Sequence, residues 1–143
     1  MKSAFLFLPI SFFLFSCATA PVKTEFNNTR QYSLSKDAAW EKVIEYFASN
    51  NIQIKTLEKE SGIIAAEPGT VPSEFLNCGK PGLAIPRNSF GVANVFVKST
   101  GSSSTVTVNA SYKQTREIDR RRFNVDCFST GVFEQNVLDS ISS

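Results

Sequence analysis

The chain has 143 residues, with 15 lysines and arginines against 13 aspartates and glutamates, a formal net charge of +2, and no histidine. A balance this close to neutral gives no case for nucleic acid as a partner. The lack of histidine excludes histidine-dependent triads and removes the commonest metal ligand, while carboxylate chemistry stays open. Neither a P-loop nor a GxGxxG fingerprint occurs, so the expectation is a protein with no cofactor and no metal.

Lys2 opens the chain with a positive charge, and an apolar stretch of about 11 residues runs from Phe5 to Phe15. The stretch is too short to cross a bilayer as a helix, and Pro9 interrupts it. Small residues follow at Ser16, Cys17 and Ala18. Leu14-Phe15-Ser16-Cys17 resembles a bacterial lipobox, the cleavage site of a lipoprotein signal peptide. The resemblance implies cleavage before Cys17, diacylation of its sulfur and acylation of the new amine with palmitate-type chains. Several chains at ~0.8 kcal/mol per buried methylene give stable anchoring. Ala18, where an aspartate would retain the protein at the inner membrane, implies delivery to the outer membrane of a Gram-negative cell, on its periplasmic face. The alternative is an ordinary secretory signal ending near Ala18 or Ala20. Residues 1–16 are thus expected as signal peptide, 17–28 as lipidated N-terminus and tether, and 29–143 as a single domain. Without residues 1–16 the chain keeps 127 residues, with 14 basic and 13 acidic side chains. That is enough for one real hydrophobic core.

Pro21, two asparagines and scattered charge mark 17–28 as linker-like. Thr29–Leu34 has the pattern of a short strand, with Tyr32 and Leu34 on one side. Ser35 then stands as a helix N-cap and Asp37 in the first turn favours the helix dipole. Trp40, Val43, Ile44 and Phe47 fall at i, i+3, i+4 and i+7, one apolar stripe, and Asn50-Asn51 closes the helix. Residues 52–57 and 63–66 flank Gly62 and predict a β-hairpin. Val92–Ser99 and Thr105–Lys113 predict a second one around Gly101. Val106, Val108, Ala110 and Tyr112 alternate there with Thr105, Thr107, Asn109 and Ser111, giving one buried and one wet face. Residues 114–126 read as a charged segment. The chain closes with Ser129 or Thr130 as N-cap of a helix with an apolar face of Phe133, Val137, Leu138 and Ile141. The order β-α-β-β-loop-β-β-α predicts an α+β two-layer sandwich of helix-grip type. Its antiparallel sheet has four to five strands, with two helices on one face.

Residues 67–91 hold four of the six prolines and four of the seven glycines. A loop of this length needs a reason. Cys78 offers one: with Cys17 assigned to lipid, Cys78 and Cys127 remain as a pair, which in an exported protein reads as a disulfide. Closing a loop of ~50 residues stabilises by roughly 4 kcal/mol in the chain-entropy model. No CxxC spacing supports a metal or redox site instead. Phe75, Leu76, Leu83, Ile85 and Phe90 make the loop apolar, either to cover an edge of the core or to meet a partner.

Arg120-Arg121-Arg122, with Arg116 nearby, is the strongest local charge. It suits anionic headgroups, lipopolysaccharide phosphates or an acidic protein, or it is simply a solvated loop or strand end beside Glu117, Asp119 and Asp126. The candidate partner contacts are therefore Arg120, Arg121, Arg122, Phe75 and Leu76. Glu58, Glu60, Glu67 and Glu74 form no evident acid/base couple, so no catalytic residue is assigned and the chain is not expected to be an enzyme. The run Ala39-Trp40, Ile52-Gln-Ile-Lys55 and Glu60-Ser-Gly-Ile-Ile64 is similar to small Gram-negative lipoproteins in which a Trp-bearing helix leads into a hairpin with a Ser-Gly turn. A similar unit occurs in the BamC-type lipoprotein of the outer-membrane barrel assembly machine, which has two helix-grip domains where this chain has room for one. The resemblance spans about 30 residues and implies fold more than role. The expected function is a non-enzymatic accessory or scaffold that binds an envelope protein or complex from the outer membrane. The alternative is a carrier of a small apolar ligand or lipid lined by Trp40, Phe47, Phe96 and Tyr112.

Overall fold

Strict alternation of buried and exposed positions along Gly91–Val97 and Ser104–Tyr112 forces two long strands to share one dry face. The computed structural model describes residues 17–69 and 71–142; the expected signal peptide, residues 1–16, lies outside the described residues. The long strands are β5 (Ile85–Thr100) and β6 (Ser103–Ile118), and they carry the other elements: β1 (Thr29–Tyr32), α1 (Lys36–Ser49), β2 (Gln53–Glu58), β3 (Ile63–Glu67), β4 (Leu76–Asn77), β7 (Arg121–Ser129) and α2 (Val132–Ser142). The sheet has seven strands in the order β2-β3-β5-β6-β7-β4, with β1 also on β6, and every pairing is antiparallel.

The α+β class is as expected; the strand count is higher than the four to five expected. Two strands account for the difference. Residues 114–126, expected as a charged segment, instead complete the last third of β6 and most of β7. Their connection is a two-residue turn at Asp119-Arg120, with both φ angles positive at 48° and 63°. Such hairpin turns usually announce themselves with Asn-Gly or Asp-Gly, and this one has no glycine. β4 is a two-residue edge piece inside the proline-rich segment, preceded by a single 3-10 turn at Ser73–Phe75.

The helices obey their end signals. Ser35 Oγ accepts the Ala38 N–H at 3.2 Å and starts α1. At the other end Asn51 adopts φ 54°, and the Asn51 and Ile52 N–H groups donate back to Ala48 and Phe47. That is a Schellman ending with asparagine in the left-handed position. Helix α2 begins one residue later than expected, after Gly131, whose carbonyl accepts the Gln135 N–H at 2.9 Å.

Both helices pack on the same face of the sheet. Trp40, Val43 and Phe47 of α1 and Phe133, Val137, Leu138 and Ile141 of α2 meet Ile64, Ala66, Ala93, Val95, Val97, Val106 and Val108 in one core. The Phe47 and Phe133 rings stack with centroids 6.5 Å apart. Truncating either ring to alanine costs about 3–5 kcal/mol.

Strand β6 is too long for a single neighbour on its outer side. β1 pairs with its first part, from Ser104 to Thr107, and β7 with its last part, from Tyr112 onward. Asn109–Ser111 lie in the gap. There the Ala110 N–H finds a side chain instead of a strand: it donates to Glu134 Oε1 at 3.2 Å. A buried main-chain donor is rarely left unpaired, and Glu134 supplies the partner.

Candidate functional site

The segment expected to be a tether is attached to the body. Thr19 bridges to Lys80, whose N–H donates to the Thr19 carbonyl at 3.1 Å. Asn77 Nδ2 donates to the Val22 carbonyl at 3.1 Å, Gln135 Nε2 to the Asn27 carbonyl at 2.6 Å, and the Val108 N–H to the Asn28 carbonyl at 2.9 Å. Glycines let the two chains approach. A Cβ on Gly79 (φ 67°) would fall on the Thr19 carbonyl oxygen, and one on Gly131 would sit 2.6 Å from the Phe26 ring. Residues 17–28 thus line the edge beside β4 and cover it.

The segment's first residue is the candidate lipidation site. Cys17 is exposed and unpaired. Its neighbour Ala18 packs on the turn at Gly82, where an added Cβ would lie 3.1 Å from the Ala18 Cβ. The turn leads directly to Leu83, 76% exposed, and Ile85, 54% exposed. Both line one shallow depression of about 340 Å³ with Glu117, Ile118, Asp119 and Arg120 from the β6–β7 turn. Residues 17–18, the Gly82 turn and the β6–β7 turn therefore meet at one end of the sheet.

Cys78 and Cys127 stand at disulfide distance, with Cα atoms 4.3 Å apart and a sequence separation of 49. They join the proline-rich segment to β7. Around them Val71, Leu76 and Tyr112 form a second, smaller core. Arg116 adds a clamp: its Nη2 donates to the carbonyls of Cys78 at 2.5 Å and Gly79 at 3.2 Å, and its Nε to Gln114 Oε1 at 3.0 Å. Arg116 is buried, so it does not join the arginine run as its spacing suggested.

Arg120, Arg121 and Arg122 are all exposed, Arg120 in the turn and the other two opening β7. Arg122 Nε pairs with Glu117 Oε2 at 2.9 Å, and Arg87 Nη2 with Glu117 Oε1 at 3.1 Å. These hydrogen bonds, that of Arg122 first, hold the Glu117 carboxyl below its ordinary range. Among the described residues Arg120 and Arg121 form no ion pair.

Phe75 and Leu76, candidates for partner contact, face inward. The Phe75 ring meets that of Phe133 edge-on at 5.6 Å, and Leu76 is buried in the smaller core. Apolar side chains next to a clamped cysteine close the core before anything is left for a partner. The uncovered face of the sheet instead exposes Phe90, Val92 and Phe96, each about two-fifths accessible (42%, 42% and 44%). The proposed ligand-lining set also separates. Trp40 and Phe47 are in the main core, Tyr112 is in the smaller one, and Phe96 is on the opposite face.

Two clefts flank the smaller core. One, of about 510 Å³, lies between the proline-rich segment and the sheet, lined by Val71, Leu76, Pro81, Pro86 and Gln114 among others. The other, of about 390 Å³, lies under Lys23–Phe26, with Glu134 and Phe128 in its wall. Glu134 is 1% exposed and accepts from Ala110 N–H and from Ser129 Oγ at 2.8 Å. Burial pushes its carboxyl above the ordinary range, and the Ser129 bond opposes the shift. The four carboxylates singled out in the sequence do not converge. Glu58 and Glu67 occupy opposite ends of the β2–β3 hairpin, and all four are exposed. Glu134 is not one of those four, although a glutamate at the third position of a helix is a recognisable N-terminal signal.

Among the described residues no helix is long and apolar enough to cross a membrane, and no group of three or more cysteines and carboxylates gathers to hold a metal ion. No family model matches the chain, and no curated protein matches it in sequence.

Proposed function

We propose that the chain is a lipoprotein of the Gram-negative outer membrane, anchored through Cys17 on the periplasmic face, and that it acts without catalysis as an accessory that binds an envelope protein. The observation that carries this is the sequence Leu14-Phe15-Ser16-Cys17 at the end of the apolar run. Three structural features support it. The Cys17 thiol is exposed and open to modification. The Cys78–Cys127 pair suits an oxidising compartment. The sheet face away from the helices carries Phe90, Val92 and Phe96 every second or fourth residue along β5, an apolar strip suited to a protein partner.

A photoreactive amino acid at position 96, in cells making the full chain, tests the role. The expected result is one discrete crosslinked envelope protein, absent when the probe replaces exposed Glu45 on α1. Equal crosslinking from both positions, or none above background, contradicts it.

A further inference from the structure

A lipid on Cys17 constrains more than location, because residues 18–28 are docked. Ala18 touches Gly82, and Leu83 follows it. With about 3.8 Å between consecutive Cα atoms, the Cys17 and Leu83 Cα atoms are at most about 13 Å apart. An acylated Cys17 therefore holds one particular end of the sheet at the bilayer. That end has the composition of a membrane contact. Leu83 and Ile85 are its most exposed large apolar side chains, and Ile118 is exposed beside them. Beside them stand Arg87, Arg120, Arg121 and Arg122, with Glu117 and Asp119 as the acidic residues of the β6–β7 turn region. Glu117 is already bridged by Arg87 and Arg122, which leaves Arg120 and Arg121 without an ion pair among the described residues.

Arg120 also sits at φ 63°, where glycine is the least strained residue. A guanidinium is thus kept at the tip of the turn against the local preference of the backbone. Strain of this kind is found where a side chain is needed.

We propose that the Gly82–Ile85 and Ile118–Arg121 turns form a membrane-docking tip. Leu83 and Ile85 enter the headgroup region of an anionic phospholipid bilayer, and Arg120 and Arg121 bind lipid phosphates. The orientation rests on the lipoprotein reading above; the affinity of the tip for anionic lipid does not. Each arginine near such a surface contributes about fivefold in binding.

The test uses the purified product of the full chain, expressed in a Gram-negative host, with Leu83→Trp as reporter. Trp40, the single native tryptophan, is buried and serves as the internal control. Vesicles of phosphatidylethanolamine and phosphatidylglycerol (3:1) carry brominated acyl chains. The expected result is quenching of L83W beyond the wild-type level, and its loss in phosphatidylcholine vesicles. Adding R120G and R121Q should weaken tip docking, read as L83W quenching, by about twenty-five-fold, while R120G alone relieves the left-handed backbone strain and raises the melting temperature by about 2–5 °C. Acylated Cys17 by mass spectrometry with no added L83W quenching overturns the tip and leaves the lipoprotein standing. Bare Cys17 overturns the lipoprotein reading, and sedimentation of the unanchored protein with the same vesicles then decides the tip. Arginine-dependent binding supports it, and its absence overturns it. Crosslinking from position 83 to a protein in place of lipid also overturns it.

Discussion

The main-chain N–H of Lys80 donates to the carbonyl of Thr19 at 3.1 Å, so the start of the described chain is an added edge of the fold and not a free leash. Linker-like composition and ordered structure coexist here because main-chain groups make the attachment. Asn77, Gln135 and Val108 supply donors to carbonyls of residues 22, 27 and 28, and glycines at 79, 82 and 131 clear the way. Side chains add to this, the Phe26 ring on Gly131 and Asn28 Nδ2 donating to Asn109 Oδ1 at 2.7 Å, but the main-chain carbonyls carry no residue signature, so the sequence of 17–28 reads as a linker.

Gly79→Ala tests the attachment. The new Cβ would lie 2.8 Å from Ala20 C and Pro21 N, and it would also disfavour the positive φ. The segment should lift while the core stays folded. Trypsin cleavage after Lys23 is expected to speed up about tenfold, the equivalent of ~1.4 kcal/mol of local stability. The main thermal transition should move by only a few degrees. An unchanged cleavage rate would contradict the docking.

Reduction of the Cys78–Cys127 pair should lower stability by about 4 kcal/mol, measured by urea unfolding with and without reductant. Arg116→Ala is expected to cost about 2–3 kcal/mol, because it strands the Cys78 and Gly79 carbonyls. Non-reducing and reducing gels should differ in mobility. Two free thiols after denaturation of the oxidised protein would refute the bond.

Glu134 has a pH signature. Its carboxyl is raised in the folded state by burial, so folding favours the protonated form. The penalty for the charged form is absent at low pH and grows as pH rises through the folded value. Stability of the wild type relative to Glu134→Gln should therefore improve as pH falls from 7 through the carboxylate range. Glu134→Leu leaves the Ala110 N–H unpaired and should cost about 1–3 kcal/mol at every pH. A wild-type-minus-Gln difference that is flat with pH, measured by denaturant titration, would contradict the assignment.

Tyr112 and Gly91 are cross-strand partners, and the tyrosine ring covers the glycine so closely that a Cβ there would lie 2.5 Å from Tyr112 Cδ1. The Tyr112 hydroxyl is buried without a hydrogen-bond partner among the described residues, and burial raises its pKa. Tyr112→Phe should thus be neutral or stabilising by up to about 1 kcal/mol, and Gly91→Ala destabilising by about 1–3 kcal/mol. A lower melting temperature for Y112F than for the parent would reveal a partner for the hydroxyl.

How much of this was legible depends on which interactions are local. Trp40, Val43 and Phe47 announce α1 because helical spacing and burial agree there, and Ser35 and Asn51 mark its ends. The alternation of Val106, Val108 and Tyr112 announces β6 for the same reason. β7 was hidden although Phe123, Val125 and Cys127 alternate, because charges surround them and the Asp119-Arg120 turn lacks glycine. The inward turn of Arg116 was not legible at all: its partners are carbonyls 37 and 38 residues away, which no spacing rule reaches. Phe75 and Leu76 were ambiguous for a related reason, since an apolar loop residue has the same appearance whether it covers a core or a partner.

A lipid on Cys17 shows in the mass of the N-terminal peptide of the protein recovered from Gram-negative cells. The expected product begins at Cys17 and carries a diacylglyceryl group on sulfur and a fatty acyl group on nitrogen, with the tryptic fragment ending at Lys23. A bare thiol at Cys17, or a chain that begins after Ala18 or Ala20, would contradict it.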